Sequence, residues 1–483
     1  MRTFDFCIGI KAAYSSFAFI MICCMGCDDS HNDTTDINDS DTSPALSPKE
    51  AEKHCPGEFS DDEGEYACLL KDVITKKDAS TEDALVWIPE ITYRLKNLVF
   101  IGDDTDLIIQ PGTTILGETD TLKSSPAALV ITPNATIDAK GTIDDPILFT
   151  SANAPGERAA GDWGGLVLLG DAPLTSQSTR AVAEGDIDGN GATGGGDNTA
   201  HFAGALSYVR IEFAGRPIYA LVGDEMKPAT PLHGLTMIGV GNKTEIDHLQ
   251  VHRSGASGIS IAGGAVNLRY VLVSGAVDHG FNWFKGWVGR AQFVIVHGLA
   301  DLPSKNLLLG VNGDQTIEYD DLPRSNPILY NFTLSGGDSK TPSAVRLESG
   351  TAGTLANILV TDGDLTTCID LESDESWEQT LTYDLTISGS IVPDTRGCFA
   401  ENDTTGYHEK YWFKDVSSNR VMDISCEASD DPARPSFSLD PASSAMDGSV
   451  APPKGVSFFD DVKFIGAVGK VDWTAGWTDY PEN

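Results

Sequence analysis

Four extended runs between Leu206 and Ala300 constrain this chain more than any other feature. Tyr208–Gly215, Ile246–Gly255, Leu268–Gly275 and Ala291–Gly298 each alternate apolar with polar or small residues, are rich in Val, Ile and aromatics, and stop at glycine. This is the pattern of a half-buried strand closed by a turn. The last three begin about 22 residues apart, with no helix-period segment between them. A repeat that short predicts a solenoid, in which each coil buries its apolar side only by stacking on its neighbours.

From Ala84 onward the chain reads the same way. Strands are expected at Val86–Ile88, Leu98–Ile101, Leu107–Gly112, Leu129–Pro133, Ile147–Thr150 and Leu166–Gly170, and after the central stretch at Ile328–Leu334, Val345–Leu347, Leu355–Val360 and Tyr383–Gly389. Parallel strands need crossovers, and without amphipathic helices the corners of a coil must supply them. The expected fold is therefore all-β, a parallel β-helix, with a β-sandwich as the alternative. The 49 glycines suit a body built of many short strands and turns, and the formal charge of -38 argues against nucleic acid, because nothing here would neutralise phosphates. An acidic balance fits a solvated exterior, divalent-cation binding, or both.

The N-terminus has the build of an export signal. Arg2 and Lys11 flank its start, Ala12–Cys24 is apolar, and Met25-Gly26-Cys27 follows. Gly26-Cys27 is similar to a bacterial lipobox, which would make Cys27 a lipidated first residue and attach the protein to a membrane. Asp28–Lys53 carries eight acids and two lysines among almost no apolar residues; it cannot bury enough surface to offset its ordering. The expected organisation is a lipoprotein signal peptide (1–26), an acidic disordered linker (27–54), a cysteine-containing cap (55–84), the β-helix (85–400) and a C-terminal coil or cap region (401–483).

Export implies an oxidising compartment, in which Cys55 and Cys68 are expected to pair. Two of Cys368, Cys398 and Cys426 can pair and leave one odd. A zinc site is the alternative at Cys55, where His54 is the only nearby imidazole and no C-x-x-C occurs.

Asp106–Gly117, Gly161-Asp-Trp-Gly-Gly165, Leu206–Gly215, His233–Gly241, Phe458–Gly469 and Asp472–Trp477 stand in the order found in a family of exported bacterial β-helix proteins, many of them surface lipoproteins of unknown function. The chain resembles that family over roughly residues 85 to 480. The resemblance implies a right-handed parallel β-helix at the cell surface or outer membrane, and no established reaction. Acidic, aromatic-rich turns common in the family are replaced here by Gly255–Gly264 and Val277–Trp287.

Candidate sites follow from residue type. Asp186, Asp188, Asn190 and Asp197 place oxygens as a calcium loop would, with Gly191 at the turn, but no helices flank them and the segment also reads as a solvated loop. Trp283 and Trp287, beside Phe281 and Phe284, could present stacking faces to a sugar or fill the coil interior. Trp163 reads as packing, and Trp473 with Trp477 as a cap on the open end of the solenoid. Glu212, Asp247 and Asp278 fall at comparable places in successive coils, His248 and His252 lie on one face, and Arg253 and Arg269 are near; together they could form an acid–base stripe or a solvated ladder. No G-x-S-x-G, P-loop or H-E-x-x-H is present. The expected role is a surface protein that binds polysaccharide or other surface proteins, or has a structural part, without evident catalysis; a polysaccharide lyase or glycoside hydrolase is the alternative.

Overall fold

The structure is a computed structural model and describes residues 46–483 apart from 82–83, 103, 120–125, 176–180, 183–192, 223–224, 303, 314–319, 321, 337–342, 362, 364, 395–397, 400–407, 425, 428 and 430–433. Its first full coils have three strands each. Leu85–Trp87, Ile91–Leu95 and Leu98–Ile101 are covered in parallel by Asp106–Ile109, Thr114–Gly117 and Ala128–Ile131, with Leu85 over Leu107, Tyr93 over Ile115 and Val99 over Leu129. Thr136–Lys140, Ile147–Ser151 and Gly165–Leu169 continue the three faces. The fold is a parallel β-helix, and the sandwich alternative is excluded by these parallel ladders.

In the middle of the molecule the first two faces fuse. Gly204–Glu212, Glu245–Ser254, Asn267–Ala276, Arg290–His297 and Ile328–Ser335 are single long strands that turn the corner between these faces at a left-handed residue: Tyr208, His248, Tyr270, Phe293 and Asn331. These strands overlap the runs singled out in the sequence. Ile246 pairs with Leu268 and Leu268 with Ala291, so the coils are 22 and 23 residues long. The third face is built of Leu235–Ile238, Ile259–Ala262, His279–Phe284, Asn306–Val311, Ser343–Glu348 and Thr367–Leu371.

Alternation within each strand sends one column of side chains inward. Val209, Leu249, Val271, Val294 and Phe332 stack in register, and opposite them Phe281, Leu308, Val345 and Ile369 do the same; nearly all are fully buried. Each such side chain contributes roughly 1.5–3 kcal/mol of burial. No coil has a core of its own, and the stack is the unit that is stable.

Both ends are covered. The helix Pro48–Glu52 puts Ala51 into the core, and the hairpin of Gly57–Asp62 and Glu65–Leu70 lays its second strand on Ile91–Leu95. Cys55 and Cys68 are disulfide-bonded, which answers the zinc alternative. Residues 46–54, expected to belong to the acidic linker, are folded onto this cap: Ala51 enters the core and Tyr66 donates to the Leu46 carbonyl. At the far end the helix Glu409–Asp415 inserts Phe413 against Phe399, and a second disulfide joins Cys368 to Cys398.

The C-terminal segment corrects one expectation. Trp473 and Trp477 do not cap the open end; they pack edge-on against the rings of Tyr208, His248 and Tyr270 on the flank of the solenoid. Residues 450–483 lie along that flank because outward amides of several coils bind the tail backbone. The Gln292 amide donates to the Asp460 carbonyl at 2.8 Å and accepts from the Asp460 N–H at 2.8 Å. Gln250 does the same with Asp479 and Asn357 with Val450, while Asn331 donates to the Phe464 carbonyl. Removing one such amide leaves two backbone groups unpaired, and Gln292→Ala is expected to lower stability by about 1–3 kcal/mol in urea unfolding. An unchanged midpoint would mean that the tail is not held there.

Candidate functional site

The tail makes a groove. On the first face of the coils the outward column Ser207, Asp247, Arg269 is in register, as is the parallel column Ala205, Glu245, Asn267. Lys140 continues the first column over Ser207, Gly141, Asn242, Lys243 and Thr244 add turn residues, and Phe458 of the tail forms the opposite wall. The space enclosed is about 670 Å³. Arg269 anchors that wall: its guanidinium pairs with Asp460 and lies 5.4 Å from the centre of the Phe458 ring and 5.7 Å from that of Tyr270. Lys140 pairs with Asp138 at 3.1 Å, and Asp247 with the Nδ1 of His248.

The lining carries charges of both signs beside apolar surface from Leu206, Ile246 and Phe458. Lys140, Lys243 and Arg269 face Glu245, Asp247 and Asp460, beside the amide of Asn267 and the flat face of Phe458. Such a set supplies donors and acceptors in nearly equal measure together with apolar surface, which suits a hydroxyl-bearing ligand better than a strongly anionic one. Glu245 and Asp247 project from positions i and i+2 of one strand, about 6.7 Å apart along it.

Only part of the sequence-derived stripe converges here. Asp247 and Arg269 reach the groove; Arg253 pairs with Asp301 at 2.8 Å. Glu212 stacks on His252 rather than on Asp247, and Asp278 lies at a turn between faces, held by Lys305 at 2.7 Å. His248 and His252 both turn toward the tail. His248 sits between the rings of Tyr208 and Tyr270 at 4.4 and 4.7 Å, and the Nε2 of His252 donates to the Pro481 carbonyl while its Nδ1 meets the Ser274 hydroxyl. Lys140, Lys243, Glu245, Asn267 and Phe458 were missed because nothing in the sequence marks which outward positions share a groove.

Beneath the last tail residues lies a sealed polar layer. Glu212 is 1% exposed, accepts from the Thr150 hydroxyl at 3.1 Å and lies 3.3 Å from Arg210, and the Trp163 indole donates to its carbonyl oxygen. Burial pushes the Glu212 carboxyl up, against the pull of Arg210. The tail at Asp479–Pro481 covers this layer, so its part is in the packing.

Trp283 and Trp287 are corrected as ligand-binding residues: both are 0% exposed. The Trp283 ring lies over Gly310, where a Cβ would come within 2.2 Å of it, and its indole donates to the Thr351 hydroxyl; that of Trp287 donates to the Val266 carbonyl. They fill the coil interior. Asp186, Asp188 and Asn190 lie outside the described residues, as does Cys27, and Asp197 is an exposed turn residue. Among the described residues no three His, Cys, Asp or Glu converge as metal ligands, and no helix is long and apolar enough to cross a membrane.

Residues 79–478 match the family described as a pectate-lyase like beta helix domain. The chain belongs to that pectate-lyase-like β-helix family. No curated protein matches it in sequence. Among solved structures, the crystal structure of Dettilon tailspike protein (gp208) is similar at 13% identity and a TM-score of 0.26, over 72% of this chain and 68% of that one; so remote a likeness carries no argument.

In this pectate-lyase-like β-helix two histidines are held neutral. Burial pushes His252 and His279 down to about 4. Unfolded histidine titrates near 6.5, so between these values the unfolded chain binds more protons than the folded one. The contribution of both residues is complete above about pH 6.5 and is lost as pH falls toward 4. Glu212, held up by burial, acts in the opposite sense, so the test compares chains that share it. The melting temperature of the wild type is expected to fall on acidification from pH 6.5 to 4, and that of His252→Gln with His279→Gln to fall less steeply. Parallel profiles would contradict the assignment.

Proposed function

We propose that the protein is exported, lipid-anchored through Cys27 and displayed at the cell surface, where the groove between the coils and the C-terminal tail binds a hydroxyl-rich polysaccharide. The apolar signal ending in Gly26-Cys27 and the acidic linker after it support the anchoring. One observation carries the binding role: Arg269, Asp247, Glu245, Lys243 and Asn267 line one open groove against the face of Phe458. A chain lying along the solenoid would meet a fresh polar side chain about every 4.8 Å, the step between coils. The charges within the groove are balanced although the protein as a whole is strongly acidic, which favours a neutral glycan over a polyuronate.

A second reading rests on Glu245 and Asp247. Two carboxyl groups about 6.5–9.5 Å apart are what an inverting glycoside hydrolase uses, one as acid and one as base for water. The i, i+2 spacing sets the two backbone positions about 6.7 Å apart on one face, from which the carboxyl groups can stand at such a separation.

A glycan array probed with the body from residue 46 onward is expected to retain at least one neutral oligosaccharide series. Lys243→Ala with Arg269→Ala should weaken that binding at least about tenfold, near 1.4 kcal/mol. A blank array, or hits untouched by the double variant, would contradict the groove assignment. Release of reducing ends from a bound series, abolished by Asp247→Asn, would favour the hydrolase. For the anchor, Cys27→Ser is expected to shift the protein from the membrane to the soluble fraction, and unchanged membrane association would overturn lipidation there.

A further inference from the structure

Two of the carboxylates around the groove are already matched to a cation: Asp138 pairs with Lys140 and Asp460 with Arg269. Asp247 differs. Its Oδ1 accepts from the Nδ1 of His248, yet its side chain remains 41% exposed along the groove. Oδ2 has no partner among the described residues. The ring that holds Oδ1 is itself immobilised. His248 lies between Tyr208 and Tyr270, with interplanar angles of 13° and 18°, and Trp473 and Trp477 of the tail stand edge-on to it. Its backbone has φ 49°, the left-handed corner that Tyr270, Phe293, Asn331 and Asn357 occupy in later coils.

We propose that His248 is the positioning residue of the groove: it fixes the Asp247 carboxylate so that Oδ2 accepts a hydrogen bond from one ligand hydroxyl. The proposal rests on the reading of the groove as a glycan site and names the acceptor on which that site depends. An Asp on an open surface moves among rotamers, and holding one of them on binding costs side-chain entropy. Here the ordering is complete before a ligand arrives, because the imidazole cannot turn without breaking two ring stacks. A carboxylate oxygen accepts and does not donate, so the ligand must present a hydroxyl hydrogen at that point, and a charge-assisted bond of this kind is stronger than one between neutral groups. Glu245, two residues earlier on the same strand, is exposed and has no such partner among the described residues. The tail therefore acts on the site twice, as a wall through Phe458 and through the tryptophans that flank His248.

The same corner in other coils supplies the variants. His248→Phe keeps a flat ring in the stack, as Phe293 does, and removes the donor; His248→Asn removes the ring, as at Asn331, and keeps a nitrogen donor at the δ position. Affinity is measured by isothermal titration of the folded body with cellohexaose, mannohexaose, xylohexaose and maltohexaose as neutral probes. At least one is expected to bind the wild type. His248→Phe and Asp247→Ala should each weaken that binding at least about tenfold, and His248→Asn less than about threefold, with the urea midpoint of His248→Phe unchanged. Loss in Asp247→Ala without loss in His248→Phe overturns the positioning role and leaves the groove. Equal losses in His248→Phe and His248→Asn have the same meaning, since the histidine then serves packing alone. Asp247→Ala is a surface change that decides the matter even should His248→Phe not fold: undiminished binding there overturns the proposal. None of the four probes bound, together with a blank array, overturns the groove reading and the proposal with it.

Discussion

The parallel register of the bent strands is the constraint on which the rest depends. Because Tyr208, His248, Tyr270, Phe293, Asn331 and Asn357 all adopt the left-handed conformation at the same corner, their side chains leave the coil at the same place, one above another. For the first four this makes a ladder of rings 4.4 to 5.0 Å apart, close to the strand spacing of about 4.8 Å. For the last two it makes a pair of amides that bind the backbone of the tail. Left-handed backbone is unfavourable for residues other than glycine, by about 1–2 kcal/mol each. Here it is offset by ring stacking and by hydrogen bonds to a segment that would otherwise have no partner.

The tail converts a repetitive surface into a specific one. A bare β-helix presents similar columns along its whole length, and nothing singles out one coil. Residues 450–483 cover the ring ladder, seal Glu212 and His252, and leave uncovered a groove at Asp247 and Arg269. The amides of Gln250, Gln292 and Asn357, each exchanging two hydrogen bonds with one tail residue, determine where that opening falls. Site and scaffold are thus coupled through the same few side chains.

Much of the fold was legible because strand alternation and coil period are local signals: Ile246, Leu268 and Ala291 are spaced in the sequence as they are stacked in space. The Cys55–Cys68 pairing was legible for the same reason of nearness. The site was legible only in fragments. Asp247 and Arg269 stand in adjacent coils and could be placed together, but Phe458 and Asp460 come from a segment almost 200 residues later, and no period leads to it. Trp283 and Trp287 misled because a tryptophan cluster reads alike for a core and for a binding platform. What separates them is Gly310 in the next coil, which makes room for the Trp283 ring. Trp473 and Trp477 misled for the converse reason, since the open end is closed instead by Phe413 and Phe399.

The most direct test of a tail-built glycan site is a crystal structure of the body soaked with an oligosaccharide that the array retains. The account predicts sugar density between Phe458 and the Asp247–Arg269 column, in contact with the Arg269 guanidinium. Ordered sugar on another face, with the groove holding only solvent, would contradict it.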